Sequence, residues 1–332
     1  MSSCAQNKIQ KIDMKLLTKE ELIDSIAKQV KHYPKDPMYY LRINQLNCIY
    51  EVLVNDEVVD ENYSLAQYAS ATEINKAILK PGTQTVTYML YPIGDLIKEE
   101  YGEGKTITTL LDNTEISIDV IRVNDVNTYE SITEDEKLVL KHHSKKNTDT
   151  GKFAGTGLPY YEYSFTFEAK VPYEIEGSVN AIDLRKLDQE KLESAVVYQY
   201  KKVQKLYKAK DVASLLDMEY YNFVRLAVTE YRDKQYIKEM VDQIYVPILI
   251  EDKNFQPLKN YKVSYQGNGR IINLEHPIFT LDDSIDKRLY GKPAFWFLFK
   301  KNNKTRVMFR SILLSIPEDK HKKGEFNFGY AR

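Results

Sequence analysis

The sequence predicts an α+β fold in two domains, an N-terminal antiparallel β-sandwich and a C-terminal domain of helices packed on an antiparallel sheet. Three observations carry this. Alternating apolar runs separated by turn signals fill the first half, helical apolar stripes follow from about residue 188, and alternating runs return after Pro247. The chain has 332 residues, room for roughly two domains. At 43% hydrophobic residues, both can bury a core. The expected division is a tether over residues 1–17, a short helix over 18–33, the sandwich over 35–175 and the α+β domain over 180–332.

Thr18 with Glu21 three residues later makes a capping box. Leu22, Ile23, Ile26 and Val30 then share one helical face, and Pro34 and Pro37 end the helix. This helix is expected to pack on the sandwich. Residues 39–43 and 48–54 are apolar runs rich in β-branched and aromatic side chains, and Asn55-Asp56 turns the chain after them. Lys80-Pro81-Gly82 is a second turn signal. Beyond it Val86, Tyr88 and Leu90 point one way and Thr85 and Thr87 the other. Residues 93–112 read as a loop carrying Glu99, Glu100 and Glu103. The adjacent Glu99 and Glu100 are part of a solvated charge cluster or, alternatively, a Ca²⁺ or acid–base pair. In 115–123, Ile116, Ile118 and Val120 face inward. Residues 141–158 read as a polar loop. His142 and His143 are adjacent, without the spacing of helical zinc ligands, and the lysines around them repel a metal. Gly151, Gly155 and Gly157 match no nucleotide-binding fingerprint and read as turn residues. The longest alternation, 161–171, places Tyr161, Tyr163, Phe165, Phe167, Ala169 and Val171 on one face.

In the second half, Leu192, Val196, Tyr200, Val203 and Leu206 line one helix face. Asp211 caps a short helix reaching Leu216. Tyr220, Phe223, Val224, Ala227, Val228 and Tyr231 make a third stripe, continued by Ile237, Met240, Val241 and Ile244 up to Pro247. Residues 261–265 and 270–274 flank a hairpin at Gly267-Asn268-Gly269. Residues 294–299 are apolar throughout, which predicts a central strand covered on both faces. Lys301-Asn302-Asn303-Lys304 turns into a strand over 306–315. Arg306 and Arg310 share one face of that strand and are the candidate ligand-binding residues, able to hold an anion; the other reading is a solvated edge.

Met1-Ser2-Ser3-Cys4 resembles the end of a bacterial lipobox, in which small residues precede the lipidated cysteine. The charged and apolar parts of a signal peptide do not precede it, so the resemblance implies a chain cut close to its processing point. It further implies lipidation of Cys4, a polar tether behind it, and a periplasm-facing outer-membrane lipoprotein that meets the membrane through its lipid anchor alone. A cytoplasmic protein is the alternative. Residues 54–56 and 79–86, with Leu79-Lys80-Pro81-Gly82 leading into a strand, resemble galactose-binding-like jelly-roll modules; Asp56 stands where that pattern has Gly. That resemblance implies a fold and not a ligand. Residues 188–315, in their order of helices and strands, resemble cystatin-like cone folds such as the SnoaL-type domains.

Composition narrows the function classes. The formal net charge is −1, with no basic excess on either half, so nucleic acid is not an expected partner. No apolar run reaches the 18 residues of a membrane span. Cys48 sits in an apolar run and reads as a small buried residue, not a partner for Cys4. The chain has 26 Tyr against one Trp. Tyr is a good strand former with a wet end; it also builds stacking surfaces for sugars and peptides. No catalytic motif, metal motif or cofactor motif is present. The expectation is an envelope-anchored, non-enzymatic binding module for a protein or glycan partner. The alternatives are an immunity-type protein that neutralises a toxin, and an enzyme with an unrecognised pocket in the C-terminal domain.

Overall fold

The computed structural model describes residues 6–7, 9, 13–14, 17–67, 70–130, 135–175, 181–278 and 286–330. Helix α1 (Lys19–Ala27) starts on the capping box. The Thr18 hydroxyl accepts from the Glu21 amide, and the Glu21 carboxylate accepts from the Thr18 amide at 2.8 Å. The chain divides into two compact units, residues 32–174 and residues 175–332, and α1 belongs to the second.

The first unit is built on strands β1 (Met38–Leu46), β2 (Ile49–Val54), β3 (Glu57–Asn62), β4 (Thr72–Glu73), β5 (Gly82–Tyr91), β6 (Glu115–Val123), β7 (Glu136–His143) and β8 (Tyr161–Ala169). They form two antiparallel sheets of four, in the orders β4-β1-β6-β7 and β3-β2-β5-β8. Period-two alternation decides which residues face inward. Leu41, Ile116, Ile118 and Val120 of one sheet are fully buried, as are Val52, Val54, Val86, Tyr88 and Leu90 of the other. The sheets meet through side chains of both: the Tyr39 ring lies 5.9 Å from Phe167, and its hydroxyl accepts from the Lys170 amide at 2.7 Å. The Asn55-Asp56 turn closes β2 onto β3 with both residues at positive φ, 51° and 66°. That pair of conformations matches the right-handed twist of a hairpin.

Two expectations for this unit need correction. Residues 141–143 are the end of strand β7, not a loop. Its lysines, glutamate and exposed Leu138 hid the alternation, as suits an edge strand that discourages further pairing. Residues 93–112 are not all loop. They hold helix α2 (Leu96–Tyr101), ended by Gly102 in the left-handed region, and a bridge between Gly94 and Ile107.

The second unit has helices α3 (Gln189–Ala209), α4 (Val212–Thr229) and α5 (Lys234–Leu249). Asp188, Asp211 and Asp233 cap them, each accepting from the amide three residues on. The helix begun at Asp211 does not stop at Leu216 but runs on to Thr229, and Pro247 lies inside the last turn of α5. Strands β9 (Asn254–Phe255), β10 (Lys262–Gln266), β11 (Ile271–Glu275), β12 (Phe295–Lys301), β13 (Lys304–Arg310), β14 (Leu314–Ser315) and β15 (Gly329–Tyr330) make two sheets, β9-β12-β13 and β10-β11-β14-β15. Phe295 and Phe297 of β12 are buried against Tyr207 of α3, at 5.6 and 5.8 Å, and against Phe255. β12 is central, as predicted, but only one of its faces is fully covered. Trp296 and Leu298 on the other face are half-buried, and Trp296 stacks on Phe309. The expected strand over 306–315 breaks at Ser311, and the chain passes there from one sheet to the other.

Helix α1, expected against the sandwich, packs on α4 and α5 of its own unit. Leu22, Ile23 and Ile26 are at most 1% exposed. Gln29 donates to the Tyr220 hydroxyl at 2.8 Å, and Lys19 pairs with Asp242 at 2.8 Å.

Candidate functional site

Two places gather polar and aromatic side chains beyond what packing needs. The first lies on the outer face of sheet β3-β2-β5-β8. Strand register sets Glu61, Glu51, Met89 and Glu162 in one row across the four strands. Glu51 sits directly opposite Glu61, a like-charge pairing that ordinarily destabilises a sheet. Glu51 is only 7% exposed. Tyrosine hydroxyls offset the repulsion: Tyr63 donates to Glu51 at 2.6 Å with Glu61 at 3.2 Å, Tyr91 reaches Glu51 at 3.5 Å, and Tyr160 bonds Glu162. The Tyr91 and Tyr160 rings lie 5.3 Å apart. Burial first, then Glu162 and Glu51, push the Tyr160 phenol up, so it stays a hydrogen-bond donor. Such a surface offers tyrosine rings beside the exposed Glu162 carboxylate.

The second is a cavity of about 250 Å³ in the second unit, between α4 and the end of β13. Its charged groups are Glu219 and Arg310, 16% exposed for the arginine and 24% for the glutamate. Arg310 Nε donates to the Tyr207 hydroxyl at 3.2 Å. Arg310 Nη2 lies 4.0 Å from Glu219 Oε1, too far for a hydrogen bond, and is a buried donor without a partner. Burial pushes the Glu219 carboxyl up, while Arg310 and a hydrogen bond with Asn222 pull against it.

Of the two arginines expected to act together, Arg310 lines this cavity, whereas Arg306 is exposed four residues back along β13 and is not among the lining residues. Cys4 lies outside the described residues. Cys48 is buried, and burial raises its thiol to about 12, so it is no nucleophile. His142 is not on a loop. Its ring stacks on Phe165 at 4.2 Å and on Tyr163 at 5.5 Å, with Nε2 3.3 Å from the Tyr88 hydroxyl. Burial, then His143 and Lys145, lower its pKa. Among the described residues, no three His, Cys, Asp or Glu side chains stand close enough to hold a metal ion.

Sequence reasoning missed the Glu51, Tyr91, Tyr160 and Glu162 grouping. Its one signal was Glu51, a lone carboxylate inside an otherwise apolar run. Glu219 left no signal, since its partner is 91 residues away in sequence.

No family model, no curated protein and no solved structure matches this chain.

Proposed function

We propose that the protein is a non-enzymatic binding module whose sandwich takes a neutral glycan on its outer sheet face. The observation that carries the reading is the Tyr91–Tyr160 ring pair standing beside Glu51 and Glu162. Tyrosine rings stack on the apolar faces of sugars, and ionised carboxylates accept from sugar hydroxyls. Three carboxylates in a cross-strand row disfavour an acidic glycan by like-charge repulsion. The same acidity favours one second reading: an immunity-type protein that covers a basic surface of a toxin. An array of neutral, acidic and basic oligosaccharides separates the two. Expected is saturable binding of neutral glycans that falls at least about tenfold in Tyr91→Ala and Tyr160→Ala. No glycan retained by the parent chain, or equal retention by both variants, would end the glycan reading.

Anchorage in the envelope through a lipid on Cys4 belongs to the same proposal and rests on the Ser2-Ser3-Cys4 resemblance. Among the described residues, no helix is long and apolar enough to cross a membrane. Mass spectrometry of membrane-extracted native protein is expected to find an acylated N-terminal cysteine, and Cys4→Ala to move the chain to the soluble fraction. An unmodified Cys4 in that extract would remove the anchor from the proposal.

A further inference from the structure

We propose that the cavity between α4 and the end of β13 binds a small zwitterion of amino-acid type, a carboxylate and an ammonium on neighbouring atoms with an apolar side chain. This site is separate from the sheet face proposed for glycans and does not rest on that reading.

The charges come first. Arg310 and Glu219 stand side by side at 4.0 Å without a hydrogen bond between those atoms. A single anion drawn to Arg310 meets the repulsion of Glu219, and a single cation drawn to Glu219 meets that of Arg310. A zwitterion laid antiparallel to the pair satisfies both, its carboxylate on the guanidinium and its ammonium on the glutamate. The guanidinium is prepared for this. Its Nε is fixed by the Tyr207 hydroxyl at 3.2 Å, and its Nη2 is buried with no partner. Guanidinium donors in a rigid fork match a carboxylate in two parallel bonds. Glu219 is placed by α4 and hydrogen-bonded with Asn222 one turn on. Burial disfavours its ionised form, and an ammonium against it reverses that.

Size and lining supply the rest. A cavity of about 250 Å³ is below the range of drug-sized pockets, which begins at about 300 Å³, and so fits a molecule of amino-acid size. Met218, Pro293, Ile312, Leu313 and Phe309 line it beside the charged pair and suit an apolar side chain.

The molecule carries its own reporter. Trp296, the single tryptophan, stacks on Phe309 with ring centroids 5.6 Å apart, and Phe309 lines the cavity. The full chain is titrated with L-leucine while Trp fluorescence and titration calorimetry are followed, then with L-methionine, L-valine and L-phenylalanine. Two controls carry one charge each: 4-methylpentanoate has no ammonium, and 3-methylbutylamine has no carboxylate. Expected is saturable binding of at least one of the four amino acids, with both controls weaker by about tenfold or more. Glu219→Gln, which keeps the side-chain shape, and Arg310→Lys, which keeps the charge but loses the fork, are each expected to weaken binding by about tenfold or more. Their circular dichroism is compared with the parent, and if Arg310→Lys fails to fold, Glu219→Gln alone decides. The proposal is overturned if none of the four amino acids binds up to about 10 mM, past the weak end of specific affinity. It is also overturned if a one-charge control binds as well as the amino acid, or if a folded Glu219→Gln binds as the parent does.

Discussion

Gly155 does not need the backbone freedom that glycine allows; it needs the space. A Cβ built there falls 2.6 Å from Phe153 Cε1 and 2.7 Å from Tyr161 Cδ2, and those rings brace each other edge-on at 4.9 Å. Gly151, four residues earlier, is the opposite case, with open space around it but φ at +70°. Gly155→Ala is therefore expected to cost about 1–3 kcal/mol through overpacking. Gly151→Asn is expected to stay within about 0.5 kcal/mol, because Asn tolerates the left-handed region. Urea unfolding distinguishes them, and equal costs would return both glycines to the turn role that sequence alone assigns. His142 gives a pH prediction. Its folded pKa is below the ordinary 6.5 because of burial, so the unfolded chain takes up the proton first as pH falls. Its contribution to stability is full above about pH 6.5 and is lost as pH falls from there to the folded pKa, below which it is flat. His142→Phe keeps a ring on Phe165 and removes the titration. Unfolding measured across that window should show a smaller slope in the variant, and an unchanged slope would place the titration elsewhere. None of this could be read from spacing: the ring of Tyr161 against Gly155 and the β5 and β8 side chains around His142 are brought there by the fold.

Among the elements, those with strong local chemistry were legible in the sequence. The capping box of α1, the Asn55-Asp56 and Asn302-Asn303 turns and the inward faces of β5, β6 and β8 stand where spacing put them. Asp56 takes φ of 66°, which Asp does more readily than most residues. Strand β7 was illegible because an edge strand with charges on both faces lacks alternation. Arg310 was legible as a candidate and Glu219 was not, because nothing local marks a long-range partner. The strand β12 shows how far composition misleads. Five apolar residues in succession predict two covered faces, yet only Phe295 and Phe297 are fully buried. Phe297→Ala should cost about 3–5 kcal/mol. Trp296→Ala, on the half-exposed face, should cost less than about half of that, mostly through the lost stack on Phe309. Denaturant midpoints of the two variants check the order; a larger loss for Trp296 would mean that its face is covered after all.

At the scale of the whole chain, the sequence order of the two units matters more than their boundary. α1 comes before the sandwich in sequence but packs on α4 and α5 after it, so the sandwich is in effect inserted into the second unit. Sequence periodicity assigned α1 an apolar face without saying what covers it, and proximity along the chain pointed to the wrong partner. The energetic consequence is large. Leu22, Ile23 and Ile26 are fully covered, and burial contributes roughly 1.5–3 kcal/mol for each such side chain. Together they represent on the order of 5–9 kcal/mol before ordering costs, against a typical domain stability of about 5–15 kcal/mol. The Gln29–Tyr220 bond and the Lys19–Asp242 and Lys234–Asp24 pairs go with them. A fragment of residues 175–332 is thus expected to lose cooperative unfolding or to aggregate through the uncovered face of α4 and α5. A fragment of residues 32–174 keeps both sheets and is expected to unfold in one transition. Adding a peptide of residues 17–31 to the second fragment in trans should restore its transition, and the same peptide carrying Ile23→Asp and Ile26→Asp should not. Differential scanning calorimetry reads these four samples and the full chain. If residues 175–332 alone unfold as cooperatively and at the same temperature as in the full chain, α1 is peripheral, and the insertion has no energetic meaning.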